Sequence, residues 1–492
     1  MAESITSRTL HGLKWSYVST FITALLQICY TAVMARLLNP TDFGLVAMAG
    51  VVLSFGSYFA QMGMGSAIIQ KKDVTREQTT AAFTSSVVLG VLFFVLTFLV
   101  APSLKYVFDN QGVIPLIRVM GLSFLFNGFS LTSLALIRKR LQFKTLAIAE
   151  IISYFFGYII IGIASALIGF GVWSLVFASL TQSVVIATIA FVITKHELAL
   201  SFSWAHYEPL ISFGSRVTAI SFLEFIGSSL DTILIGRYFG SSTLGIYNNA
   251  QSLVKVPLQY FTYSFSRVLF PSFTQIQNDD ERIRTNLFLI LQTVSIVIFP
   301  LAILAVVVSR EIVGILLGPK WLEAAVLLKY LAFAAAVNLL THFIAVVFEA
   351  RGLLKQKFII QGCFISILAV SFYFALQIGV TAFAIALLIC QISRCCHYLF
   401  YYVQEFNIRI RDMSRLFISP SLTSLVVLIP TLLFHHFITK WEIPDYAIVL
   451  LTLFLFVSIF MLMLFSKWNF HIKNALLNRY ASMNEQRHMP LH

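Results

Sequence analysis

Apolar residues run through this chain in long blocks, broken at intervals of about 25–35 residues by short polar or charged stretches. Blocks of about 20 or more apolar residues are long enough to cross a bilayer as helices. They predict fourteen spans, near 15–35, 43–69, 80–100, 114–136, 147–168, 171–194, 210–236, 244–270, 286–308, 326–349, 357–376, 380–403, 416–438 and 444–466. The stretch from Ser215 to Gln275 stands apart. It holds two spans with Gly and Ser at the turn between them, which predicts an antiparallel hairpin. Both spans carry charge: Arg216, Glu224 and Asp231 in the first, Lys255 and Arg267 in the second. At about 100° per residue the first three fall within about 80° of arc. Asn248, Gln251, Lys255, Gln259, Thr262 and Ser266 follow helical spacing down one side of the second. A polar stripe on a spanning helix is expected to face a bundle interior or a wet cavity.

The polar positions also repeat. Ala35–Ala49 (ARLLNPTDFGLVAMA) and Gly236–Ala250 (GRYFGSSTLGIYNNA) align without a gap, placing Arg36 on Arg237 and Gly44 on Gly245. The charged linker 71–78 recurs at 278–285. The expected architecture is therefore all-α and membrane-integral. About fourteen helices form two pseudo-symmetric six-helix bundles around a central cavity (residues 1–200 and 201–408), and two more helices and a cytoplasmic tail fill 409–492. Same-orientation repeats of this kind belong to transporters that alternate access to a central site. The first span adds a polar stripe of Ser16, Thr20, Thr23, Gln27 and Thr31, and the second a weaker one of Ser54, Ser57 and Gln61. Spans one, two, seven and eight are expected to line the cavity.

Composition agrees: 59% hydrophobic, 11% charged, mean hydropathy +0.87, values of a membrane protein. With the N-terminus cytoplasmic, 22 of the 34 Lys and Arg fall in cytoplasmic loops and tails, 6 in the opposite loops and 6 inside spans. That bias orients the chain with both termini cytoplasmic and explains the net charge of +13 without nucleic acid. Cys29, Cys363, Cys390, Cys395 and Cys396 all sit in spans without zinc-ligand spacing and read as small core residues. No loop is long enough for a catalytic domain, no phosphate-binding loop occurs, and the pattern calls for no cofactor or metal.

The motifs ARLLNPTDFG, MGMGSAIIQKKD (Met62–Asp73), LDTILIGRYFG…LGIYNNA, RVLFPSFTQIQND (Arg267–Asp279) and LLGPKWLEAA (Leu316–Ala325) carry a resemblance. Over roughly residues 5–405 the chain resembles the polysaccharide transporter (Wzx-type flippase) family of the MOP superfamily, in its colanic-acid-exporter-like group. The resemblance implies a fourteen-helix protein of the bacterial inner membrane that moves an undecaprenyl-diphosphate-linked oligosaccharide from the cytoplasmic to the outer leaflet. It implies a cationic cavity with Arg216, Lys255 and Arg267 as diphosphate contacts beside Gln259 and Asn248, and polysaccharide polymerase and chain-length proteins as partners. Each charged residue has two readings. Arg36 and Arg237 cap helix ends and reach for headgroups, or serve the site. Glu224 and Lys255 form a structural ion pair, or Glu224 exchanges a coupling ion and leaves Lys255 for phosphate. Asp231 binds a coupling ion near the outer mouth, or pairs with Arg237. Asn338, Thr341, His342 and Glu349 share a face suited to helix-to-helix hydrogen bonds. A cation-coupled multidrug antiporter of the same superfamily is the alternative, expected to have twelve helices and an acidic cavity. A membrane-embedded polysaccharide polymerase or ligase ranks below it, for want of a large loop.

Overall fold

Long apolar helices follow one another with few residues between them, and their exposed surfaces are apolar where a soluble protein would be charged. Phe21 is 72% exposed and Phe454 74%, which fits side chains that face lipid rather than water. The computed structural model describes residues 5–61, 64–70, 74–196, 204–406, 408, 410–441 and 443–465, and every regular element among them is helical. The main helices are α1 (Ile5–Leu37), α2 (Pro40–Gln61), α3 (Arg76–Val100), α4 (Ser123–Lys139), α5 (Phe143–Tyr154), α6 (Trp173–Thr194) and α7 (Trp204–Gln275). They continue with α8 (Asp280–Val307), α9 (Ser309–Leu316), α10 (Ala324–Arg351), α11 (Leu354–Ala375), α12 (Val380–Glu405), α13 (Ile410–Ile438) and α14 (Asp445–Phe465). Among the described residues, twelve helices are long and apolar enough to cross a membrane. α7 is not one of these twelve, and its two arms are the remaining candidates for the expected fourteen.

The chain divides into two compact units. The first comprises Met1–Tyr260, Leu316–Ala324 and Ile365–Phe383; the second comprises Phe261–Ile315, Ala325–Phe364 and Ala384–His492.

In the first unit, α7 breaks at Gly240, whose φ of 81° and ψ of 175° lie outside the helical region and suit a residue without a Cβ. Asp231 and Tyr247, at similar distances on either side of that glycine, hydrogen-bond to each other. The two arms therefore run back along one another as the predicted hairpin. The N-terminal core gathers Tyr30, Met34, Leu38, Ala166, Leu175 and Ala178. Tyr30 packs edge-on against Tyr158 at 4.9 Å, beside a π-helical turn over Phe155–Gly162 that continues α5.

In the second unit, α8 packs along α13 through Ile303, Val307, Val308 and Leu428. Beyond α8, Glu311 is buried against His435 of α13 at 3.3 Å. The polar face of α10 is used for helix-to-helix contacts, as its spacing predicts. His342 meets Ser266 at 2.7 Å, Arg394 donates to Asn338, and Lys357 pairs with Glu349.

The repeat seen in the sequence recurs in local geometry within each unit. α3 begins at Thr75, which caps it reciprocally with Gln78; α8 begins at Asp279, which accepts from the Arg282 N–H. α4 ends on Leu141 at φ 55° and α10 on Gly352 at φ 82°. A cation at the end of each donates to a backbone carbonyl: Lys139 to Ile68 at 3.1 Å, and Arg351 to Gln277. One expectation fails. Cys390 and Cys395 are buried, but Cys29, Cys363 and Cys396 are exposed. A thiol is apolar enough to face lipid as readily as a core.

Candidate functional site

The site lies in the first unit, where α1, α2, the α7 hairpin and residues 316–321 meet. Its frame is a crossing of two chain segments related by the repeat. A Cβ built on Gly44 of α2 would stand 1.7 Å from the Ser241 carbonyl oxygen, and one on Gly245 would stand 1.9 Å from that of Pro40. In the repeat Gly44 matches Gly245 and Pro40 matches Ser241, so the two contacts are one contact made twice. Only glycine fits at either point. Around this crossing the Trp321 indole N–H donates to the Ala35 carbonyl at 2.9 Å, and its ring stands edge-on to Phe43 at 5.2 Å. Lys320 donates to Asn39 at 3.2 Å. Arg237 donates to the Tyr106 carbonyl, and Gly236 lies against Phe108. Thus the segment 316–321 packs against the end of α1, and 105–108 packs against the repeat-equivalent end of the first α7 arm. These contacts favour the helix-end reading of Arg237: its guanidinium serves a backbone carbonyl rather than Asp231. Arg36 is exposed, its stem beside Gly318.

Between the hairpin arms sits Asp231, 5% exposed. Its Oδ2 accepts from the Tyr247 hydroxyl at 3.0 Å and from the Gln251 amide at 3.2 Å. Its Oδ1 accepts from the Thr232 N–H at 2.7 Å and the Thr232 hydroxyl at 3.3 Å. A carboxylate held by neutral donors keeps its hydrogen bonds satisfied without a fixed cation. It is buried between the two arms. The repeat-equivalent position is Tyr30, whose hydroxyl is buried without a hydrogen-bond partner. One scaffold thus carries a carboxylate in one copy and a phenol in the other.

Beside the crossing opens a small recess lined by Gln27, Thr31, Ser252, Leu253, Val256 and Leu316 among others. Gln27 and Thr31 belong to the stripe of the first span, whereas Ser252, Leu253 and Val256 lie off the stripe of the eighth. Further along the second arm, Lys255 and Gln259 are exposed and Asn248 half-buried. Glu224 is exposed as well, and it forms no ion pair with Lys255. Equal depth in two helices does not bring side chains together when their faces diverge. The Arg216 and Arg267 side chains lie outside the described residues. Sequence reasoning missed the Asp231–Tyr247 bond and the Trp321 lock. The first could have been found by counting nine residues back and seven forward from Gly240.

A family model described as "Polysaccharide biosynthesis protein" matches residues 33–326, more than half of the chain. The chain belongs to the polysaccharide biosynthesis protein family. Among curated proteins the chain is similar to the lipopolysaccharide biosynthesis protein WzxC of Escherichia coli K12, 28% identical over 324 residues, which are 65% of this chain and 65% of that protein. The teichuronic acid biosynthesis protein TuaB of Bacillus subtilis 168 is 27% identical over 76% of this chain and 78% of its own length. Among solved structures, the lipid II flippase MurJ in its inward closed conformation superposes with a TM-score of 0.77 at 15% identity, covering 94% of this chain and 99% of that one. The fold it shares with MurJ therefore extends over nearly the whole chain.

Proposed function

We propose that the protein is a flippase for polyprenyl-diphosphate-linked oligosaccharides, feeding exopolysaccharide, capsule or O-antigen assembly by alternating access. The observation that carries this reading is family membership on a fold shared, over 94% of the chain, with a protein named as a lipid II flippase. Relatives named for lipopolysaccharide and teichuronic acid biosynthesis support a glycan cargo. In the proposed orientation the chain sits in the bacterial cytoplasmic membrane with both termini in the cytoplasm. The glycine crossing then closes the outer end while the cargo enters from the cytoplasmic side.

The diphosphate is taken up by Lys255, exposed on the second hairpin arm, together with Arg216 and Arg267. Guanidinium groups grip phosphate oxygens two at a time, and Gln259 and Asn248 add neutral hydrogen bonds. An inside-negative potential drives two negative charges outward by about 4–5 kcal/mol per 100 mV. Asp231 resets the carrier by taking and losing a proton or small cation. Its hydroxyl and amide donors hold it ready to do so, with Glu224 as a second exchanging carboxylate. Polysaccharide polymerase and chain-length proteins receive the product.

The experiment is extraction of lipids from a deletion strain. Accumulation of a complete polyprenyl-diphosphate-linked repeat unit, reversed by the wild-type gene and not by expressed Arg216→Ala or Lys255→Ala, is the expected result. Absence of any such lipid, with raised sensitivity to cationic drugs, would overturn the reading in favour of efflux.

A further inference from the structure

Two kinds of contact hold α2 in the first unit. Against α3 and α4 it is keyed in place. A Cβ on Gly56 would stand 2.5 Å from the Phe124 ring, and Phe59 stacks on Phe93 with centroids 6.4 Å apart. α3 and α4 in turn touch backbone to backbone: a Cβ on Gly90 would meet the Phe124 carbonyl at 2.6 Å, and one on Gly128 the Ser86 carbonyl at 2.5 Å. Contacts this close leave no play, so the three helices form one block.

Against the first arm of α7 the contact changes character along the helix. At one end stands the glycine crossing, and next to it the Met48 side chain reaches Gly236. Phe55 and Phe59 lie eleven and fifteen residues beyond Gly44, about 16 and 22 Å along α2. There the two helices meet ring to ring. Phe55 contacts Phe222 and Phe225, both at 5.9 Å; Tyr58 contacts Phe225 at 5.6 Å; Phe59 contacts Phe222 at 5.5 Å. The rings are tilted or edge-on to one another, as aromatic pairs prefer.

Such a seam can part where a backbone contact cannot. Each side also holds an aromatic pair of its own, Phe55 with Phe59 at 5.2 Å on α2 and Phe222 with Phe225 at 6.5 Å on α7. Those pairs survive separation, so the rings that come apart are not left alone. While closed, an apolar seam shuts out ions by excluding water. We infer that this aromatic seam is the gate on the cytoplasmic side of the transport cycle. α2 and the first arm of α7 splay about the glycine crossing, and the rings part to admit cargo while the crossing stays shut. The inference rests on the alternating access and orientation proposed above, and it assigns the moving seal of that half-cycle to Phe55, Tyr58, Phe59, Phe222 and Phe225.

The test uses vesicles carrying the full-length protein with its five native cysteines replaced and one cysteine placed at Ser252. Ser252 lies twelve residues past Gly240 and Phe222 eighteen before it, about 18 and 27 Å from the turn, so the probe sits between crossing and seam in depth. A membrane-impermeant maleimide is added to one side at a time. Phe59→Ala with Phe222→Ala removes the Phe59–Phe222 and Phe55–Phe222 pairs and is expected to speed labelling from the cytoplasmic side about tenfold, the factor two lost ring pairs amount to. Labelling from the outer side should match the protein with both rings. If the double variant does not fold, Phe55→Ala, whose ring is 45% exposed and meets both Phe222 and Phe225, reads the same comparison. A rise on both sides or on neither overturns the gate, as does an equal rise from Phe454→Ala, a lipid-facing control. Labelling needs no cargo, so a deletion strain without lipid-linked intermediates would sink the flippase reading and leave the gate to be decided by the labelling rates.

Discussion

The Tyr247 hydroxyl donates to the Asp231 carboxylate at 3.0 Å across the two arms of the hairpin. Both groups are buried, so removing the donor leaves Oδ2 with the Gln251 amide alone. Tyr247→Phe is expected to cost about 1–3 kcal/mol, read as a lower melting temperature of the detergent-purified protein. Val46→Ala, at the repeat-equivalent position in α2, removes no such bond and should cost less.

The glycine crossing sets a steric prediction. Gly44→Ala or Gly245→Ala puts a methyl group inside a backbone carbonyl on the opposite segment, and neither carbonyl can move without its helix. Each variant should hold the crossing apart. Expressed at wild-type level, each should lose at least about tenfold in complementation, a barrier change of about 1.4 kcal/mol. A cysteine placed at Ser252, in the recess beside the crossing, should label faster with a membrane-impermeant maleimide added outside. Unchanged labelling in both variants would show that the crossing is not the seal.

Trp321 tests the lock on α1. Trp321→Phe keeps an aromatic ring against Phe43 but loses the N–H that serves the Ala35 carbonyl at 2.9 Å. The indole is fully buried, so a loss of about 1–3 kcal/mol is expected, again by thermal denaturation. Lys320→Ala, which removes an exposed contact to Asn39, should shift stability by less than about 0.5 kcal/mol.

The Glu311–His435 contact gives a pH prediction. Burial alone would raise the Glu311 pKa, but the His435 imidazole 3.3 Å away, its own backbone N–H and the charges of His435 and Arg310 outweigh burial and lower it. A carboxyl with a lowered folded value contributes its stability above the unfolded range and loses it as the pH falls through the folded value. The stability difference between wild type and Glu311→Gln should therefore shrink as the pH falls below about 4.5. A gap that stays constant down to pH 3.5 would show that Glu311 is not ionised in the contact.

The sequence revealed most of what depends on a single helix or on the register between copies. Span positions, the hairpin at Gly240, the match of Gly44 to Gly245 and the shared face of α10 all follow from apolar run length, helical period and alignment. What it missed depends on how one helix is rotated against another. Glu224 and Lys255 match in depth but do not meet, whereas Asp231 and Tyr247 do, because depth is a one-dimensional quantity and contact needs two angles as well. Arg237 finds a backbone carbonyl, and carbonyls carry no signature in a sequence. The exposed cysteines were misplaced for a simpler reason: in lipid, exposure carries no penalty for an apolar side chain.

A protein that passes bulky cargo across an energised membrane must not also pass protons or sodium. Side chains pack with gaps that shift as they change rotamer, and a file of water through such gaps would short-circuit the gradient. At Gly44 and Gly245 two backbones abut with no Cβ between them, so the closeness of the contact is set by bond lengths rather than by conformational averages. The duplication makes that contact twice, and in the proposed cycle insulation would then be a property of the main chain that costs the cavity none of its side-chain chemistry.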